Sequence, residues 1–296
     1  FVCLCAAGFT GDRCQNISTG MPCDGSDIGT QAGIDALSIC TSISGRLTLE
    51  CESPDESCTI NNINALNRVT SIGNLIIRST RIVNFNGLQA LTALTSLVVE
   101  NNPLLEDISQ IFNPAVEACS ITISTVTLVD NPALASVAGL NNLGTVTNTL
   151  TLQNTGITDM TGLACLATAD GISVSSNPSV LSFSGLDRIA TIGAFIVSGN
   201  PALDSLDGLL SLTRVQRLIS IGNNPVLNSI NGFSNLDQSA GLTAILSFCP
   251  DPVVEDGERM VDEAFFDPAQ PDGLPLGGVI APIITQRTNC DDVVAA

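Results

Sequence analysis

Cysteine is the residue type in this chain with the most chemistry open to it. Eleven are present, and no histidine accompanies them. Thiolates can ligate zinc, attack electrophiles or pair as disulfides, and their spacing and company decide among these. Without histidine there is no imidazole to activate a serine or cysteine nucleophile, and no imidazole metal ligand. No CxxC pair occurs, so the tight four-ligand spacing of a zinc site is missing. Disulfides formed in an oxidising, extracellular setting are the reading that remains.

Carboxylates are the other abundant reactive group. The sequence holds 29 acidic residues against ten basic ones, all arginine, for a formal charge of −19 over 296 residues. Such a surface repels phosphate backbones, which argues against nucleic-acid binding. Eight of the acids lie between Asp251 and Asp272, opposed only by Arg259. A helix over 255–266 would gather Met260, Val261, Ala264 and Phe265 on one face. That segment reads either as a capping helix with solvated charges or as a site for a cation or a basic partner. No EF-hand loop, P-loop, GxGxxG or GxSxG fingerprint is present. Carboxylates clustered in a cap rather than a cleft do not make a glycosidase. The expectation is a protein without catalytic residues, metal or cofactor.

Hydrophobic residues make up 44% of the chain and charged ones 13%, which excludes a disordered polymer. No apolar run reaches the roughly 18 residues of a membrane helix, so no span is expected in this segment. The stretch 273–284 is short and is interrupted by Pro275 and Pro282. The single N-x-S/T sequon, at Asn16, is a glycosylation candidate.

The elements that must position these groups come from an internal repeat. Short apolar pairs recur, each followed three residues on by an asparagine or threonine: Thr80, Asn102, Asn131, Thr155, Asn177, Asn200 and Asn224. The steps between them are 22, 29, 24, 22, 23 and 24 residues, and the long step contains Cys119. Proline follows each of the five asparagines, and a Gly-Leu or Gly-Phe pair comes seven or eight residues after most members of the row. Each copy reads as strand, turn, apolar ridge, turn. Proline turns the chain because it fixes φ and biases its predecessor away from helix. One copy cannot bury its apolar side alone, whereas stacked copies form a continuous parallel sheet and core. Leu134, Val137, Leu203, Leu206, Leu227 and Ile230 fill that interior. The row of asparagines and threonines faces inward and satisfies backbone groups of the next turn. The alternate strand positions Ile76, Val98, Thr127, Thr151, Ser173, Ile196 and Ser220 form an outward row, either a partner face or ordinary sheet surface.

This pattern resembles the leucine-rich repeats of receptor L domains, the solenoids of insulin-receptor and EGF-receptor ectodomains, with related repeats in fungal cell-wall proteins. The resemblance covers about Cys23 to Pro250 and is carried by Cys23, Cys40 and the strand with Ile43, Gly45, Leu47 and Leu49. It implies a right-handed, parallel-sheet, β-rich leucine-rich-repeat solenoid whose first turn is capped by a Cys23–Cys40 disulfide. The array is longer than a single L domain. The first fourteen residues, C-x-C-x-x-G-F-x-G-x-x-C from Cys3 to Cys14, resemble the C-terminal half of an EGF-like module. That likeness implies a Cys5–Cys14 pair, and it leaves Cys3 either paired to a cysteine upstream of this segment or free. Proximity suggests Cys51–Cys58, and elimination leaves Cys119–Cys165 and Cys249–Cys290 with their pairing open.

The expected organisation is an EGF-like fragment (1–14), a linker (15–22), the solenoid (23–250) and an acidic cap and tail (251–296). The function expected is that of a non-catalytic extracellular or cell-surface protein, structural or adhesive, in a coat, wall or filament. Its partners would be proteins, copies of itself among them. The alternative is the ligand-binding ectodomain of a cell-surface receptor.

Overall fold

Alternation of apolar with small or hydroxylated residues makes strands with one face dry and one wet. The computed structural model describes residues 20–236 and the backbone of two further strands. In chain order the elements are β1 (Met21–Asp24), β2 (Asp27–Ile28), helix α1 (Gln31–Asp35), β3 (Cys40–Glu50), β4 (Ser71–Arg78) and β5 (Ala93–Glu100). They continue with β6 (Ile121–Ile123), β7 (Thr125–Asn131), β8 (Leu143–Thr155), β9 (Thr168–Ser175), β10 (Thr191–Ser198), β11 (Arg214–Gly222), β12 (Thr243–Ser247) and β13 (Ile284–Gln286). All pair in parallel in one 13-stranded sheet, ordered β1-β3-β4-β5-β7-β8-β9-β10-β11-β12-β13, with β2 on β3 and β6 on β8. Neighbours along the sheet are successive repeats, so the chain is a parallel-sheet β-solenoid. β1 begins within the expected linker. β13 adds a strand from the segment expected as cap and tail, so the ladder runs beyond residue 250.

The turn after each main strand has a cause the sequence reading missed. The residue before each row member has positive φ: Ser79, Asn101, Asp130, Asn154, Ser176, Gly199 and Asn223. Left-handed backbone suits Gly, Asn, Asp and small polar residues. The chain therefore reverses one residue ahead of the Asn-Pro step, and proline follows a turn already made.

The buried asparagines also work in the opposite direction from that expected. Asn102 Oδ1 accepts from the Thr80 amide and hydroxyl, and its Nδ2 donates to the Ile77 and Glu100 carbonyls. The side chain thus serves backbone groups of the preceding turn and its own, and meets the next turn only at the Asn131 side-chain oxygen. Asn131, Asn177, Asn200 and Asn224 repeat the pattern, and each Oδ1 accepts from the residue one turn earlier. The threonines do only half of this work. Thr80 and Thr155 donate amide and hydroxyl to the following asparagine and have no carboxamide to offer the preceding turn, so each starts a run.

Stacking depends on glycine where turns touch. A Cβ on Gly162 would collide with the Val137 backbone, and one on Gly208, at φ +103°, with that of Phe183. Inside the stack Leu, Ile and Val form a continuous buried column from Ile34 to Leu236, including the six expected interior residues. Phe183, Phe195 and Phe233 add edge-on ring contacts at 5.3 and 5.9 Å. The first turn is closed by α1, whose Ile34 is fully buried, and by Thr30 accepting from the Gly33 amide.

Among the described residues three disulfides join Cys23–Cys40, Cys51–Cys58 and Cys119–Cys165, with Cα–Cα separations of 5.7, 5.6 and 4.9 Å. Cys3, Cys5, Cys14, Asn16, Cys249, Cys290 and the acidic segment with its expected helix lie outside the described residues.

Candidate functional site

Register turns the outward row into a surface. Thr48, Ile76, Val98, Thr127, Thr151, Ser173, Ile196 and Ser220 stand opposite one another across successive strands. Their flanking strand positions are buried (Leu47 and Leu49, Leu75 and Ile77, Leu150 and Leu152, Phe195 and Val197), so this row and its i±2 neighbours point outward. Thr48 is buried, and the seven expected face residues are all half-buried because each packs beside the same position one turn away. The structure brings all seven together.

Flanking columns complete the face. One contains Arg46, Asn74, Ser96, Thr125, Thr149, Gly171, Ala194 and Leu218, and the other Glu50, Arg78, Glu100, Val129, Gln153, Ser175, Ser198 and Gly222. From β7 to β11 these columns carry no charge. Within the columns charges occur only on β3 to β5, where each has an oppositely charged partner; beside the columns, β7, β9 and β11 carry Asp130, Asp170, Arg214 and Arg217, of which Asp170 and Arg217 pair. Arg78 Nε donates to Glu100 at 2.7 Å and Nη1 lies 3.5 Å from Glu50, while Arg46 pairs with Asp27 at 3.5 Å. The hydrogen bond to Glu100 raises the Arg78 pKa above its ordinary value. Adjacent Thr-x-Thr, Thr-x-Thr and Ser-x-Ser segments (125–127, 149–151, 173–175) place short hydroxyls and methyls on the middle of the face.

Chemistry beyond contact has little material here. Among the described residues no group of three or more His, Cys, Asp or Glu side chains could hold a metal. A shallow hollow of about 330 Å³ lies by Asp27, Gly29, Thr48, Glu50 and Glu52. Two of its three carboxylates are already held by Arg46 and Arg78. No described helix is long and apolar enough to cross a membrane.

The buried row (Thr80, Asn102, Asn131, Thr155, Asn177, Asn200, Asn224) lies inside the stack and is absent from the surface. Two further arrangements went unread in the sequence. Asn84, Asp107, Ser136, Asp159, Ser182, Ser205 and Ser229 each accept from the amide two residues on, capping the turn before the Gly column. Their spacing near 23 residues was the available signal. Arg217 reaches across an intervening turn at Gly193 to Asp170, at 2.7 and 3.1 Å, and this pairing lowers the Asp170 carboxyl and raises the Arg217 guanidinium pKa. Nothing in the sequence spacing of 47 residues announces that pair.

No protein-family model matches this chain, and no curated protein matches it. What it does is therefore argued from the geometry of the face.

Proposed function

We propose that this chain is a non-catalytic structural or adhesive protein of an extracellular coat, wall or filament, and that it works by protein–protein contact through the outer sheet face. The observation that carries the reading is that the three outward columns carry no charge from β7 to β11, with the Asp170–Arg217 pair beside them, on a chain of net charge −19. Like-charged copies repel one another everywhere except where charge is missing. Small and β-branched side chains form a shallow relief that can be dried without stranding a charge.

Size agrees with a contact surface. Eight turns at roughly 4.8 Å and three columns roughly 6.7 Å apart give about 770 Å² per partner, near the ~800 Å² per partner of a standard interface, of which the uncharged five strands supply about 480 Å². The three disulfides suit an oxidising compartment, and the sequence likenesses to receptor L domains and to an EGF-like module belong to the same extracellular reading. Electron microscopy and sizing of native material test it. Regular polymers or sheets containing the chain are expected; a uniform population of soluble monomers at native concentration contradicts the proposal.

A further inference from the structure

The inserted turn between β5 and β7 is tied down by Cys119–Cys165, a link spanning 46 residues. Cys119 has φ +61°, and its carbonyl lies where only a glycine, Gly144, leaves room on the adjoining turn. Both of its sulfur-bearing residues are half-buried. Cys51–Cys58 is more protected, at 8% and 5% exposed, whereas Cys23–Cys40 is buried only at Cys40 (1% exposed) and half-buried at Cys23.

A cation stands at this link. Arg188 Nη1 lies 3.2 Å from Cys119 Sγ, within donor reach of the sulfur. The repeat puts it there, because Cys165 and Arg188 occupy the same place in successive copies, three residues after Gly162 and Gly185. A guanidinium at a sulfur favours its thiolate, and a sulfur that ionises readily is the better leaving group in thiol–disulfide exchange.

We infer that Cys119–Cys165 is a thiol-exchange site, at which an external thiol becomes covalently attached to Cys165 while Arg188 holds the departing Cys119 thiolate. In the first step the thiolate RS⁻ attacks Cys165 Sγ. The Cys165–SR bond forms, the Cys119–Cys165 bond breaks, and the electron pair leaves on Cys119 Sγ beside Arg188. A second RS⁻ attacking the R sulfur releases Cys165 as thiolate and yields RSSR, completing a two-electron reduction by two thiols. Stopped after the first step, the site is a covalent attachment point for a small or protein thiol. The inserted turn is freed from the later turn in either case.

Reduced glutathione, added to the folded full chain and followed by alkylation and peptide mass spectrometry, tests the assignment. A glutathione adduct on Cys165 with Cys119 free is expected before either Cys23–Cys40 or Cys51–Cys58 opens. R188Q slows that exchange about threefold or more, the effect of raising the leaving thiol by roughly one pKa unit, while R188K keeps most of the rate. In C165S, the alkylation rate of Cys119 titrates below the ordinary thiol value of about 8.5, and adding R188Q restores it. Earlier opening of Cys51–Cys58 or of Cys23–Cys40, which lacks the neighbouring guanidinium, no adduct, an adduct on Cys119, or exchange in R188Q as fast as in the parent overturns the inference. The C165S titration keeps the test decisive if R188Q alters the fold.

Discussion

Asn177 shows how much one buried amide holds in this molecule. Its Oδ1 takes the Thr155 amide and hydroxyl at 3.0 and 2.7 Å, and its Nδ2 reaches the Leu152 carbonyl at 3.0 Å and Asn200 Oδ1 at 3.3 Å. Truncation strands several groups where water is absent, and each stranded group costs about 1–3 kcal/mol. N177A is therefore expected to lose about 3 kcal/mol or more in denaturant unfolding, whereas an exposed asparagine such as Asn223 changed to glycine, which relaxes its left-handed φ of 54°, leaves stability within about 0.5 kcal/mol. The break between Asn131 and Thr155 gives a test of opposite sign. T155N would supply the missing carboxamide to the preceding turn and join the two runs, raising stability by about 1 kcal/mol; a fall in midpoint would show that the threonine is required there. At this scale the sequence was legible in position and partly wrong in mechanism. The asparagine row could be numbered from spacing, but a spacing does not say which neighbouring turn a side chain serves. The left-handed residue before it was visible only as a loose preference for Ser, Asn, Asp and Gly.

At the scale of the element, the repeat succeeds because strand, turn and Gly column all demand the same period. Gly162→Ala puts a methyl against the Val137 backbone, so a cost of about 1–3 kcal/mol is expected, the range of an overpacked core. The capped turns predict an acid limit. Asp159 accepts the Thr161 hydroxyl at 2.7 Å and its amide at 2.9 Å, and these bonds hold its carboxyl below the usual range. The Ser57 hydroxyl and amide do the same for Asp55. A lowered folded-state pKa gives a contribution complete above the unfolded value of about 3.9 and lost as pH falls through the folded one. With no histidine in the chain, the melting temperature is expected to stay level between about pH 5 and 8 and to decline below about pH 4. A step near pH 6.5 would contradict this. The solenoid itself was legible from the period. The length of its strands was not, because β8 runs 13 residues through a corner that the two-residue apolar signature does not mark. The Asp170–Arg217 clamp was equally hidden, since it joins side chains two turns apart that meet only after stacking.

For the whole molecule, the balance lies between general repulsion and one neutral face. At low ionic strength a charge of −19 keeps copies apart, and screening within a Debye length of about 8 Å near physiological salt lets the uncharged columns approach. The row that makes this face could be numbered from the sequence alone, since alternation puts every second residue outside. The neutrality of its flanking columns needed the register, which sets Thr125, Thr149 and Gly171 in one line and places Arg78 between Glu50 and Glu100. The most direct test of the central claim is sedimentation velocity of the purified chain over a concentration series, with T151R beside the parent. Parent assembly that grows with concentration and with added salt, and its loss in a folded T151R, is the result predicted. Equal behaviour of the two proteins, or a parent that stays monomeric at every concentration and salt level, would contradict it.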